Sequence, residues 1–136
     1  MASRLLSKNK VLENRIISVV IPALNESASL PELFQRLDNV AAANNYKMQV
    51  VLVDDGSTDS TLAIASRYRE KIHVLHKENG GKATALNYGM VYAKGEIIVI
   101  VDADTIIGRN SLKEIVKGFE VNEHVAAVAG NIRVRN

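Results

Sequence analysis

Apolar residues follow two alternating rhythms along this chain. Residues 16–21, 50–53, 72–75 and 97–101 are short, mostly apolar runs rich in Val and Ile. Runs of that length and β-branched content read as strands buried on both faces of a parallel sheet. Between them the spacing changes. Leu30, Leu33, Phe34, Leu37 and Val40 repeat at helical intervals, as do Leu86, Met90 and Ala93, and then Leu112, Ile115, Val116 and Phe119. A further helix is expected from Ser57 or Thr58, as a cap, to about Arg69. Residues 125–129 form a last strand candidate, and Gly130 leads into Asn131-Ile132-Arg133-Val134-Arg135.

Local signals mark where these elements begin and end. Pro22 stops the first strand because it has no N–H to give a ladder. Ser29-Leu30-Pro31-Glu32 has capping-box spacing with Pro in the first turn, and Ser111 with Glu114 repeats that spacing. Asn44-Asn45 ends one helix, and Gly95 ends another just before residue 97. Strand and helix alternate throughout, so the expected fold class is α/β. It is Rossmann-like, a three-layer α/β/α arrangement with a mostly parallel sheet and right-handed crossovers. Residues 1–15, with Leu5, Leu6, Val11 and Leu12 among Arg and Lys, read as a lead-in. Residues 16–136 read as one domain.

Composition narrows the partners. In 136 residues, Lys and Arg number 17 against 15 Asp and Glu. That near balance lacks the footprint of a nucleic-acid binder. The chain has no cysteine, which excludes disulfides and thiolate metal sites. No run reaches the ~18 apolar residues of a membrane span, and a cytoplasmic location is the default expectation.

The candidate chemistry lies where strands end. Residues 22–26, 54–59 and 102–104 are polar or acidic and share one edge if the strands are parallel. Ligands of such sheets collect beyond the carboxyl ends. Asp54, Asp55, Asp59, Asp102 and Asp104 crowd like charge there, at a cost to folding. Asp102 and Asp104, one residue apart, suit Mg2+ or Mn2+, which bind one or two carboxylates plus water and phosphate. Asp54 or Asp55 could accept a nucleobase N–H. Gly80-Gly81-Lys82 is not a P-loop: His76 stands where that pattern needs Gly, and Ala83 where it needs Ser or Thr. A lysine at a helix start beside two glycines can still meet a diphosphate. His73, His76 and His124 show no metal-ligand spacing and read as strand-end or surface residues.

The motifs at residues 20–26, 53–59, 81–87 and 101–104 together resemble the inverting family 2 glycosyltransferases. The end of the chain is similar to the processive branch that includes poly-N-acetylglucosamine, chitin and hyaluronan synthases. The resemblance implies a GT-A fold, a nucleotide-diphosphate sugar donor (a UDP-sugar foremost) and a divalent cation, Mg2+ or Mn2+. By position, Pro22, Ala23, Asn25 and Glu26 would line the nucleoside pocket. Asp55 would bind the base, with Asp54 supporting its loop. Lys82 would approach the phosphates, Asp102 the ribose or sugar side, and Asp104 the metal. The family often has Tyr where this chain has Leu24.

The same resemblance puts the general base, an Asp, in a later loop beyond Asn136. The expectation is therefore a donor-binding portion that binds donor but does not transfer sugar alone. The acceptor, a saccharide or lipid, is left open; the parent protein could be membrane-bound, and exposed sheet edges could pair copies of the chain. Two rival readings stand beside it: a receiver-like signalling domain phosphorylated on Asp102, and a non-catalytic scaffold.

Overall fold

The structure, a computed structural model, describes residues 15–130. Nearly all of the expected lead-in and the 131–135 end lie outside the described residues. Four strands form the sheet: β1 (Ile16–Ala23), β2 (Lys47–Asp54), β3 (His73–His76) and β4 (Ile97–Ile100). The helices are α1 (Leu30–Asn44), α2 (Thr61–Ser66), α3 (Lys82–Tyr92) and α4 (Ser111–Phe119). Strand order is β3-β2-β1-β4, every pair parallel.

The pleat sends alternate side chains to opposite faces. Val19, Ile21, Val50 and Leu52 join one core with Leu30, Leu33, Phe34 and Leu37 of α1, Ala65 of α2, and Leu112 and Val116 of α4. Val20, Val51 and Val53 join a second core with Ala85 of α3. The three-layer expectation is met. Leu30, Leu33 and Leu37 are at most 2% exposed, and burying each contributes about 2 kcal/mol. The chain steps from β1 to β2 to β3 in one direction and then returns past β1 to β4. With crossovers of one hand, that reversal sends α3 to the opposite face from α1 and α2.

Of the residues expected on α3, Leu86 and Ala93 pack against the second core and Met90 does not. Ala85 and Gly89 are its buried residues, while Met90 is 42% exposed. The helix lies so close to the sheet that a Cβ on Gly89 would sit 2.7 Å from Val20 Cγ1 and 2.9 Å from Val53 Cγ2. Ala85 and Gly89 make the closest approach, and Leu86 packs at its edge.

Three other expectations are corrected. Neither capping box forms: Ser29 is helical and its hydroxyl donates to Glu26 Oε2 at 3.3 Å, while Ser111 Oγ accepts from the Gly108 amide at 3.0 Å. The helix expected from 57 or 58 to 69 is only Thr61–Ser66, because Ser57 and Thr58 are tied to Asn25 instead. Residues 125–129 are not a strand. Val128 packs on Gly118 of α4, within 2.7 Å of where a Cβ would stand, rather than joining the sheet.

Candidate functional site

The topology fixes where a crevice must open. Chain direction reverses between β1 and β4, and side by side their carboxyl ends leave a gap that no crossover covers. A cleft of about 240 Å³ lies there. β1 and the turn after it supply Pro22, Ala23, Leu24 and Glu26; the end of β2 supplies Asp55. The start of α3 adds Gly81 and Lys82, and the turn after β4 adds Asp102, Ala103 and Asp104. Asp55, Lys82 and Asp104 therefore share one hollow.

The Asp54-Asp55 pair divides its work. Asp54 is fully buried; its Oδ2 lies 2.7 Å from His76 Nδ1 at the end of β3, and its Oδ1 accepts from the Ser57 amide at 3.4 Å. Asp55 is 3% exposed yet reaches the cleft wall. Its Oδ1 accepts from Lys77 Nζ at 2.6 Å and the Gly80 amide at 3.1 Å, and its Oδ2 from the Gly81 amide at 3.0 Å. Burial pushes the Asp55 carboxyl up, but the Lys77 hydrogen bond, the two glycine amides and the Lys77 charge outweigh it. The group ends below the usual carboxylate range. Gly56, at φ 76°, lets the 77–81 loop close on this turn, since a Cβ there would meet the Asn79 amide nitrogen at 2.6 Å.

A second knot holds the loop after β1. Asn25 adopts φ 54°, and its Oδ1 accepts from the Thr58 amide at 2.8 Å and the Asp59 amide at 3.3 Å. The Asn25 amide donates to Ser57 Oγ at 2.9 Å, and the Glu26 amide to Thr61 Oγ1 at 2.9 Å. Asp59 accepts from the Thr61 hydroxyl and amide and from the Ser27 amide. The Thr61 hydroxyl chiefly lowers the Asp59 carboxyl to about 2. These bonds clamp the turns after β1 and β2 together.

At the opposite wall, Lys82 Nζ lies 2.5 Å from Asp102 Oδ1, both side chains about half exposed. Lys82 is the first residue of α3, so the N-terminus of that helix lies at the same hollow. Asp104 is exposed beside them. Two acidic oxygen donors at a cleft mouth fit a hard divalent ion that keeps water and phosphate among its ligands. Among the described residues no group of three or more His, Cys, Asp or Glu converges to hold an ion alone.

Of the expected site residues, the structure brings Pro22, Ala23, Glu26, Asp55, Lys82, Asp102 and Asp104 to the cleft wall. Asn25 and Asp54 lie outside that wall and brace it from behind. Lys77 joins the site unexpectedly, although its signal is local: a cation one residue past a strand that parallels the strand ending at Asp54. Leu24 and Gly81, also unassigned, line the cleft. A larger hollow of about 320 Å³, between Arg36, Asn39 and Val40 of α1 and Ile107 and Arg109, shares no residue with it.

The parallel sheet with a cleft at its switch point is shared with solved GT-A glycosyltransferases. A mannosyltransferase from Pyrobaculum calidifontis, in complex with GDP-Man and Mn2+, superposes with a TM-score of 0.69 at 28% identity, over 87% of this chain and 40% of that one. Glucosyl-3-phosphoglycerate synthase from Mycobacterium tuberculosis, in complex with Mn2+, UDP and phosphoglyceric acid, gives 0.68 at 26% identity, over 88% and 43%. The sequence model of glycosyl transferase family 2 matches residues 18–136, and the chain belongs to that family. Poly-beta-1,6-N-acetyl-D-glucosamine synthase of Staphylococcus aureus is 32% identical over 123 residues, which cover 88% of this chain and 29% of that protein. The chain thus spans under a third of that relative's length. Neither the receiver-like reading with phosphorylation on Asp102 nor the scaffold reading finds support in these relatives. No helix among the described residues is long and apolar enough to cross a membrane.

Proposed function

We propose that this chain is the donor-binding part of a glycosyltransferase. It takes a nucleotide-diphosphate sugar, a UDP-sugar foremost, with Mg2+ or Mn2+, and presents it for inverting transfer to an acceptor hydroxyl. The observation that carries this reading is the single cleft shared by Asp55, Lys82 and Asp104 at the β1/β4 switch point. The Mn2+ and nucleotide in the two similar structures support it.

The roles follow from position and charge. Pro22, Ala23 and Glu26 form the nucleoside wall, braced by Asn25 and Asp54 from behind. Asp55, kept ionised by Lys77, accepts the nucleobase N–H as a charge-assisted bond. Lys82 and the first amides of α3 meet the diphosphate. Asp102 faces the ribose or sugar side and Asp104 takes the metal. A diphosphate brought among Glu26, Asp55, Asp102 and Asp104 meets four carboxylates, of which Lys77 holds Asp55 and Lys82 is paired with Asp102. Once Lys82 turns to phosphate, Glu26, Asp102 and Asp104 are left facing it, and a cation at Asp102 and Asp104 completes the balance. When bound, the ion supplies Lewis-acid neutralisation of charge developing on the departing diphosphate. Lys82, turning from Asp102, stabilises the same charge from the helix side.

The base that deprotonates the acceptor is assigned to no residue of this chain. Transfer, and the choice of a saccharide or lipid acceptor at a membrane, are proposed for the longer enzyme.

Calorimetric titration of UDP into the chain with Mn2+ or Mg2+ tests the reading. Metal-dependent heat is expected, with the metal dependence abolished in Asp104→Ala. No heat with either ion, or equal metal dependence in Asp104→Ala, overturns it.

A further inference from the structure

An ionised carboxylate offers about four acceptor positions, two on each oxygen. On Asp55 three are taken. Oδ1 receives Lys77 Nζ at 2.6 Å and the Gly80 amide at 3.1 Å; Oδ2 receives the Gly81 amide at 3.0 Å. The lysine is not a passing surface contact. Its side chain is 23% exposed against 4% for Asp55, and the ammonium also donates to the Glu78 carbonyl at 2.6 Å and to Thr84 Oγ1 at 3.0 Å. With all three of its protons placed, Lys77 is held on Oδ1. One acceptor position, on Oδ2, is left for a ligand at the cleft.

Nucleobases differ in what they present to such a group. Uracil carries one N–H on its pairing edge, flanked by carbonyls. Guanine carries two adjacent donors, N1–H and the N2 amino group, which match a carboxylate bidentately only when both oxygens are open. Adenine and cytosine place a ring acceptor beside their amino group and so bring a lone pair against the anion.

We propose that Lys77 is a positioning residue that sets base specificity: by filling Oδ1 it leaves Asp55 a single-acceptor reader, matched to uracil and closed to the second donor of guanine. This rests on the donor-binding reading above and goes beyond it, since the similar structures hold UDP in one case and GDP-Man in the other. The 77–81 loop is thereby a base filter. Its own glycine amides and its lysine decide how much of the carboxylate is available.

The experiment compares UDP, GDP and inosine diphosphate with Mn2+ by calorimetry on the 136-residue chain. Inosine diphosphate is guanosine diphosphate without the N2 amino group, so it removes the second donor at nearly constant size. In the native chain UDP is expected to bind best, with GDP no tighter than inosine diphosphate. In Lys77→Met, which opens a position on Oδ1, GDP is expected to gain on inosine diphosphate by about tenfold, the worth of one hydrogen bond to a charged group. Lys77→Gln keeps a donor on Oδ1 and is expected to keep the native ranking. A purely structural role for Lys77 weakens all three ligands alike. GDP binding about tenfold tighter than inosine diphosphate in the native chain, or no gain for GDP in a folded Lys77→Met, overturns the proposal. If circular dichroism finds Lys77→Met unfolded, the native-chain comparison decides alone. UDP binding with an unaltered GDP ranking would sink this inference and leave the donor-binding reading standing; no nucleotide binding at all sinks both.

Discussion

Lys82 Nζ and Asp102 Oδ1 stand 2.5 Å apart across the mouth of the cleft, one at the start of α3 and the other just past β4. Each side chain is about half exposed, so the pair contributes little to folding. Its meaning is electrostatic: without donor, the ammonium neutralises a carboxylate of the proposed cation site, and it is placed to turn toward phosphate. Lys82→Ala is expected to weaken UDP binding about tenfold while the urea midpoint stays nearly constant. Calorimetry beside urea unfolding checks both halves, and a large loss of stability with unchanged affinity contradicts the assignment.

The approach of α3 to the sheet is a packing prediction. Gly89→Ala places a methyl 2.7 Å from Val20 Cγ1, and such overpacking costs about 1–3 kcal/mol. Thermal unfolding should show a clearly lowered midpoint. Because Lys82 rides on the same helix, UDP affinity should fall with it. An unchanged midpoint would show that α3 does not lie this close.

That helix also shows what the sequence could and could not reveal. Four of the five expected strands, their parallel sense and the acidic loops were legible because β-branched runs and strand-end carboxylates are local signals; residues 125–129 were not. The face of α3 was legible only in part: Leu86 and Ala93 pack as expected, but Ala85 and Gly89 make the closest contact through smallness rather than hydrophobicity. Ser29 and Ser111 had capping-box spacing but bonded elsewhere, to Glu26 and to the Gly108 amide. Spacing alone does not decide which partner a hydroxyl meets. The bracing roles of Asn25 and Asp54, and the grip of Lys77 on Asp55, come from loops 22 or more residues apart. Only the parallel register brings those loops together.

Asp54 is expected to matter for stability. It is fully buried with His76 as its side-chain partner, and removing it breaks the tie between the ends of β2 and β3. Asp54→Ala should cost about 2 kcal/mol, read as a lowered urea midpoint with an unchanged slope. A neutral result would mean that the β2 and β3 ends are held by backbone alone.

Acid sensitivity follows from Asp55 and Asp59. Both carboxyls are lower in the fold than in the open chain, Asp59 to about 2 and Asp55 by direction. Stability from a lowered carboxyl is complete above its unfolded value of about 4 and is lost as pH falls through the folded value. Asp59→Asn should therefore be less stable than the native chain at about pH 5 and converge with it near about pH 2. Urea midpoints across that window check the sign; a difference that widens on acidification contradicts it.

The most direct measurement is the map of backbone amide shifts when UDP and Mg2+ are added to the isotopically labelled chain. Binding at the β1/β4 switch point predicts shifts gathered at Ala23 to Glu26, Asp55, Gly81, Lys82 and Asp102 to Asp104, weakened when Mg2+ is withheld and no longer responsive to Mg2+ when Asp104 is replaced by Ala. Shifts centred instead on Arg36, Asn39 and Ile107, around the larger hollow, would contradict the account.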